Sequence, residues 1–340
     1  VIDLISFDHH PRTRIVFGQG SIERIGALAL ELGSQRALIV TDAGIVAAGH
    51  VDRANESLQA ASISVTIFDQ VRENPTTLDV DLCVDAAKAH SADLLIGLGG
   101  GSSLDTAKGA NFLLTNGGKM ADYWGVGLAK QPMLPMIAVP TTAGTGSECQ
   151  SFALIADETT HQKMACGDPK AAPRIALLDP ELTITQPFSV TACTGIDAIA
   201  HAVETAVTRK RTPISTLYSR EALRLTINNI GRALETPNDL EARSAMLLGA
   251  AYAGIAIENS MLGIAHSCAN PLTAEFGIVH GQAVGMMLPH VVRFNAEDAV
   301  SASGYQELAI HAGIATSGVL ASNAVQALAQ RIEQCLAAAG

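Results

Sequence analysis

Residues 93–98, Asp93-Leu94-Leu95-Ile96-Gly97-Leu98, run directly into Gly99-Gly100-Gly101-Ser102-Ser103-Leu104-Asp105, and this junction sets the architecture. The apolar run has the pattern of a strand buried on both faces of a parallel sheet. Three successive glycines let backbone N–H groups approach an anion closely, and the helix that follows through Lys108 adds the positive end of its dipole. That is the outline of a phosphate cradle. The same residues also suit a tight strand-to-helix turn with Ser102 as its N-cap.

On either side the pattern repeats. Arg36 to Thr41 (RALIVT) is a second apolar run ending at Asp42, and Ser64 to Phe68 and Met136 to Val139 are two more of the kind. Residues 12–17 read as a short strand, followed by the turn Gly18-Gln19-Gly20 and a helix capped by Ser21. Asn74-Pro75-Thr76 is a loop leading into a helix from Asp79 to Ala89. Strands alternating with helices predict βαβ units and a doubly wound parallel sheet, whose ligands sit at the carboxyl ends of the strands.

Two further features lie at such ends. The loop Pro140-Thr141-Thr142-Ala143-Gly144-Thr145-Gly146-Ser147-Glu148 alternates hydroxyls with glycines and has no apolar anchor, as a polar ligand would require. Asp42 is placed to accept from both ribose hydroxyls of an adenosine and to repel a 2′-phosphate, favouring NAD over NADP, although a capping Asp reads the same way. Asp42-Ala43-Gly44-Ile45 does not fit G-x-G-x-x-G, so an ordinary Rossmann fingerprint is absent.

Beyond Asp179-Pro180 helical periodicity takes over. With 340 residues, more than the ~250–300 at which single cores stop growing, the chain reads as two domains. These are an α/β dinucleotide-binding domain over residues 1–180 and an all-α helical bundle over 181–340. Helices are expected at Ile214 to Asn228, Leu240 to Ile257 and Asn323 to Ala338, with another capped by Ser189. That last helix contains Thr194-Gly195-Ile196-Asp197-Ala198-Ile199-Ala200-His201. Asp197 and His201, at i and i+4, share one helix face and can offer an anionic and a neutral ligand to one metal ion, or form a plain surface pair. His266 and His280 follow in a Gly-rich setting, with Pro271 expected to break the helix between them. Together the four side chains make an N₃O set suited to Fe(II) or Zn(II) and poor for Mg(II) or Ca(II).

Composition excludes other classes. There are 22 basic and 33 acidic residues, net −11, which argues against a nucleic-acid partner. The apolar run Ala245 to Ile257 stops at Glu258, short of the ~20 residues a bilayer requires. Asp3, Asp8, His9, His10, Pro11 and Arg12 interrupt any signal-peptide core. Cys83, Cys149, Cys166, Cys193, Cys268 and Cys335 form no C-x-x-C pair and read as thiols in a reducing, cytoplasmic compartment.

GGGSSLD at 99–105, PTTAGTGSE at 140–148, GIDAIAHAVE at 195–204 and GIAHSCANPLTAEFGIVHG at 263–281 together resemble the iron-dependent (group III) alcohol dehydrogenases. The resemblance implies a dehydroquinate synthase-like N-terminal domain, a helical C-terminal domain, an active site in the cleft between them, and commonly a homodimer. It implies hydride transfer between a small primary or secondary alcohol, or its aldehyde or ketone, and NAD (NADP as the alternative). Iron, or sometimes zinc, would act as the Lewis acid. Carried over, the metal ligands fall on Asp197, His201, His266 and His280. The dinucleotide contacts fall on Asp42, Asn74, Gly100, Gly101, Ser102, Asp105, Thr141, Thr142, Thr145, Leu154, Lys163 and Leu182.

Where some members carry a second histidine four residues after the third ligand, this chain has Asn270, which cannot titrate. Glycerol dehydrogenase-like and maleylacetate reductase-like activities are alternatives within the same superfamily. A non-catalytic nucleotide or metal sensor is the alternative from another class.

Overall fold

The structure is a computed structural model, and it describes residues 6–340. The chain divides into two compact units, one of residues 11–141 and 147–185, the other of residues 6–10, 142–146 and 186–340. The break expected at 180 stands a few residues later, and the stretch 142–146 belongs with the helices rather than with the sheet.

The first unit is built on six parallel strands: β1 (Arg14–Phe17), β2 (Arg36–Val40), β3 (Ser64–Phe68), β4 (Leu94–Gly99), β6 (Met136–Pro140) and β9 (Ile175–Leu178). Their order in the sheet is β1-β9-β6-β4-β2-β3. A separate three-stranded sheet joins β5 (Gly125–Val126), β7 (Phe152–Ala156) and β8 (Lys163–Gly167), with β7 and β8 antiparallel.

Period two explains why helices cover both faces of the large sheet. Ala37, Ile39, Leu94, Ile96, Leu98, Ile137 and Val139 point into one core, where they meet α1 (Ile25–Glu31) and α3 (His50–Ala60). The alternate residues Leu38, Val40, Leu95, Met136 and Ala138 point into the other, against α4 (Thr77–His90) and α5 (Gly101–Asn116). Strands β2, β4 and β6 thus bury both faces and show no polar alternation. Strand β3 differs from expectation. It lies at the sheet edge, Ser64 and Ile67 are exposed, and only Phe68 is fully buried.

From β2 the chain passes to β3 on one side, then returns to place β4 on the other, so the strand order reverses between β2 and β4. In open α/β sheets that reversal point is where ligands bind. A cavity of about 700 Å³ lined by Arg12, Arg14, Met133 and Arg174 lies instead at the amino ends of the strands. It is therefore not the dinucleotide cradle.

The second unit is helical throughout its described residues: α6 (Phe188–Val207), α7 (Pro213–Ile227), α8 (Ile230–Glu235), α9 (Leu240–Glu258), α10 (Ile264–Phe276), α11 (His280–Asn295), α12 (Ala299–His311) and α13 (Ala321–Ala339). Helix α6 begins after Pro187, not at a Ser189 cap, because proline pre-sets the extended entry. Pro271 sits inside α10, and the chain turns instead at Gly277, whose φ of 66° is the left-handed cap that glycine adopts without strain. Helix α9 is long and apolar enough to cross a membrane by length and composition. Most of it is buried, and it packs against α6 and α7 as a core helix.

Candidate metal centre

On α6, Asp197, His201 and Glu204 stand at i, i+4 and i+7 and therefore share one face. All three are at most 5% exposed. His266 is the third residue of α10 and His280 the first of α11, so each enters the cluster from a helix start. Gly281 permits this approach: a Cβ there would lie 2.1 Å from the Cys193 carbonyl oxygen on α6.

The three imidazoles converge on one carboxylate oxygen. From Asp197 Oδ1 the distance is 3.2 Å to His266 Nε2, 3.4 Å to His201 Nε2 and 3.9 Å to His280 Nε2. The donor atoms of Asp197, His201 and His266 lie within 4.8 Å of one another. The His201 and His266 rings stack with centroids 4.8 Å apart, and His280 lies 5.4 Å from His266 at a tilt. His280, with a side chain 33% exposed, is the member nearest solvent.

The electrostatics follow from burial and from the charges and hydrogen bonds of the cluster itself. Burial raises the Asp197 carboxyl, but the charge of His201 and the hydrogen bond from His266 outweigh it and hold the group well below the usual carboxylate range. Burial lowers His201 to about 4, with Asp197 opposing and His266 and His280 adding to the fall. Burial also lowers His266, yet its hydrogen bonds to Asp197 and Glu204 carry it up to about 9. The two stacked imidazoles are thus driven apart, one neutral and one cationic. A divalent cation among these atoms would replace that proton and meet one anionic oxygen and three nitrogen donors, so the residues fit the N₃O site.

Glu204, which the sequence pattern alone does not single out, stands beside the cluster without being one of its four ligands. Its Oε2 lies 2.5 Å from His266 Nδ1 and its Oε1 accepts from the Ala265 N–H at 2.6 Å. The i+7 spacing from Asp197 was the available signal. Asn270 is exposed on α10, one turn beyond His266.

Within the sheet unit, Asp42 and Gly99–Gly101 follow β2 and β4 at the reversal point. Asp42 is the N-cap of α2 (Ala43–Ala47), its Oδ1 accepting from Gly44 N and Ile45 N. A Cβ on Gly99 would lie 3.7 Å from Asp42 Oδ2 and 2.4 Å from Ser103 Oγ, and the Gly99 φ of 152° strains any other residue. The N-cap of α5 is Gly100, without a side-chain cap, which leaves the first N–H groups of the helix to an outside acceptor. Ser102 is therefore not the cap.

Asp105 is occupied inside the fold, accepting from Ser147 Oγ at 2.6 Å and Leu154 N at 3.1 Å. Lys108, fully buried, donates to the Ser147 carbonyl, Ser147 Oγ and the Phe152 carbonyl. Thr141 is buried at the end of β6. Asn74 is exposed with a left-handed φ of 53°, and Leu154 and Lys163 are exposed on β7 and β8. Leu182 is fully buried in the apolar core and offers no side-chain surface to a ligand. Thr142 and Thr145 belong to the helical unit.

The family model for iron-containing alcohol dehydrogenase matches residues 11–180, and that for the C-terminal part of the Fe-containing alcohol dehydrogenase family matches residues 191–339. The chain is similar to an NAD-dependent methanol dehydrogenase of Bacillus methanolicus, 36% identical over 82% of this chain and 74% of that one. It is also similar to alcohol dehydrogenase 4 of Schizosaccharomyces pombe, 38% identical over 88% and 71%. An alcohol dehydrogenase structure from Oenococcus oeni superposes with a TM-score of 0.93 at 31% identity, covering 98% of this chain and 88% of that one. With both halves of the sequence matched in order and the N₃O cluster assembled in the helical unit, this chain belongs to the iron-containing alcohol dehydrogenase family.

Proposed function

We propose that the protein interconverts a small primary or secondary alcohol and its aldehyde or ketone. NAD is the hydride partner, and iron, or alternatively zinc, is held by Asp197, His201, His266 and His280. The observation that carries this reading is the convergence of three imidazole Nε2 atoms on the buried Asp197 Oδ1.

A divalent ion in such a site supplies Lewis acidity, lowering the pKa of an alcohol oxygen or polarising a carbonyl. The chain's own residues do the rest. Asp197 contributes the single anionic ligand, His201 is kept neutral by burial, and Glu204 holds the distal nitrogen of His266. Asn270 can orient a polar group through its amide, but cannot carry a proton. On the sheet unit, Gly100, Gly101 and Ser102 at the start of α5 would take the dinucleotide phosphates and Asp42 the adenosine ribose. Asn74, Asp105, Thr141, Leu154 and Lys163 are further candidate contacts of that unit, and Thr142 and Thr145 of the helical one. The reading extends to a cytoplasmic homodimer without nucleic-acid or membrane partners, supported by six cysteines that form no C-x-x-C pair and a net charge of −11.

The test is metal analysis of protein purified without added metal, coupled to NAD and NADP assays with short primary alcohols, for the wild type and His266→Ala. We expect about one equivalent of iron or zinc and NAD-linked turnover in the wild type, and loss of both in the variant. Turnover retained by metal-free His266→Ala would refute the assignment.

A further inference from the structure

Glu204 is 2% exposed, and among the described residues its ion-pair partner is His266 alone. Burying a carboxylate away from lysine and arginine costs several kcal/mol, so an acid at this position calls for a reason. Both of its oxygens are engaged on α10. Oε2 meets His266 Nδ1 at 2.5 Å, and Oε1 accepts at 2.6 Å from the N–H of Ala265, one of the first-turn donors that an α-helix cannot satisfy internally. Gly263, the N-cap of α10, makes room for this, since a Cβ there would lie 2.9 Å from Glu204 Oε1.

The neighbouring ligand shows the contrast. His201 Nδ1 is buried and has no hydrogen-bond partner among the described residues. The two stacked imidazoles are therefore unequal: one is held at its distal nitrogen by a carboxylate, the other by packing alone. A proton held on Nδ1 by Glu204 fixes the tautomer in which Nε2, once a cation replaces its proton, turns its lone pair to that cation, and the same contact pins the turn of α10 that carries the ring.

We infer that Glu204 is the positioning residue of the metal centre, fixing the orientation and tautomer of His266 and anchoring the start of α10 from the face of α6. The inference rests on the four-ligand reading above. It adds that metal affinity in this chain depends on a carboxylate that is not itself a ligand.

The experiment titrates apo wild type, Glu204→Gln and Glu204→Ala with Co(II) and with Zn(II) in competition with a chromophoric chelator. It records the visible Co(II) spectrum and the far-UV circular dichroism of each protein. Glu204→Ala should weaken metal binding about 10- to 100-fold and shift the Co(II) bands. Glu204→Gln can still accept from one of the two donors and should fall between the alanine variant and the wild type. The isosteric glutamine variant carries the test if the alanine variant does not fold. A wild type that binds metal, with variants equal to it within twofold and spectra unchanged, would overturn the role of Glu204 alone. A wild type that binds no metal would overturn the ligand set together with it. Weakened binding in the variants of a protein that oxidises no alcohol would uphold the role while sinking the dehydrogenase reading.

Discussion

Gly146 and Gly254 meet backbone to backbone: a Cβ built on Gly254 would lie 2.3 Å from the carbonyl oxygen of Gly146, and one built on Gly146 would lie 2.6 Å from the Gly254 Cα. The hydroxyl-rich loop is thereby seated on α9, and its neighbour Gly144 is likewise pressed against Thr194 of α6. Gly254→Ala adds a methyl where only backbone can yield. It should destabilise by about 1–3 kcal/mol, more than the ~1 kcal/mol that alanine contributes inside a helix. Denaturant unfolding checks this, and a stabilised variant would show that the loop is not seated as described.

Glu148, 1% exposed with no hydrogen-bond partner for Oε1 among the described residues, is raised by burial from 4.5 to about 7, against opposing help from its own backbone N–H and from Lys108. Between those two values the folded state holds a proton that the unfolded chain has lost. Stability therefore declines as pH rises through this window, and the penalty is fully present above it. Glu148→Gln should gain on the order of 1–3 kcal/mol over the wild type at pH 8 and nothing near pH 4.5. Urea midpoints at the two pH values decide; equal differences at both would contradict the assignment.

Asp79 behaves in the opposite sense. Burial raises its carboxyl, but Arg72 at 2.7 Å and the Thr76 N–H, also at 2.7 Å, together bring it below 3.8. Its contribution is present above the unfolded value and lost as pH falls through the lower folded one. Asp79→Asn should cost about 1–2 kcal/mol at pH 7, and the two proteins should converge in strong acid. An acid-unfolding series in which the gap persists to the lowest pH would rule this out.

Asp42 caps α2, and the ribose contact proposed for it can be separated from that role. Serine keeps the N-cap of α2 but removes the charge, whereas alanine removes both. Asp42→Ser should raise the NADP-to-NAD ratio of kcat/KM about tenfold, equivalent to ~1.4 kcal/mol, with little change in stability. Asp42→Ala should add a loss of about 0.5–2 kcal/mol from the missing cap. Steady-state kinetics with both cofactors and a melting comparison read the two effects independently. An unchanged cofactor ratio in Asp42→Ser would remove Asp42 from the ribose site.

The large sheet was legible because β2, β4 and β6 bury both faces and so leave unbroken apolar runs. The β7–β8 hairpin was not, since its connection, Asp157-Glu158-Thr159-Thr160-His161-Gln162, contains no glycine or proline. Its left-handed residue is His161, at φ 58°, a type that carries no turn signal by itself. Ser64 to Phe68 looked like a central strand from composition. Its edge position follows from sheet order, which no local pattern encodes.

In the metal centre, the spacing along α6 was enough to put Asp197 and His201 on one face, because helical periodicity is a property of neighbouring residues. The approach of α10 and α11 was a matter of packing. His266 reaches Asp197 across 69 residues and Glu204 across 62. Contacts at that range depend on which helices lie together, here allowed by Gly263 and Gly281, and not on any repeat within the chain. That His266 meets a carboxylate at each ring nitrogen, while His201 Nδ1 has no hydrogen-bond partner among the described residues, emerged only once those helices were in place.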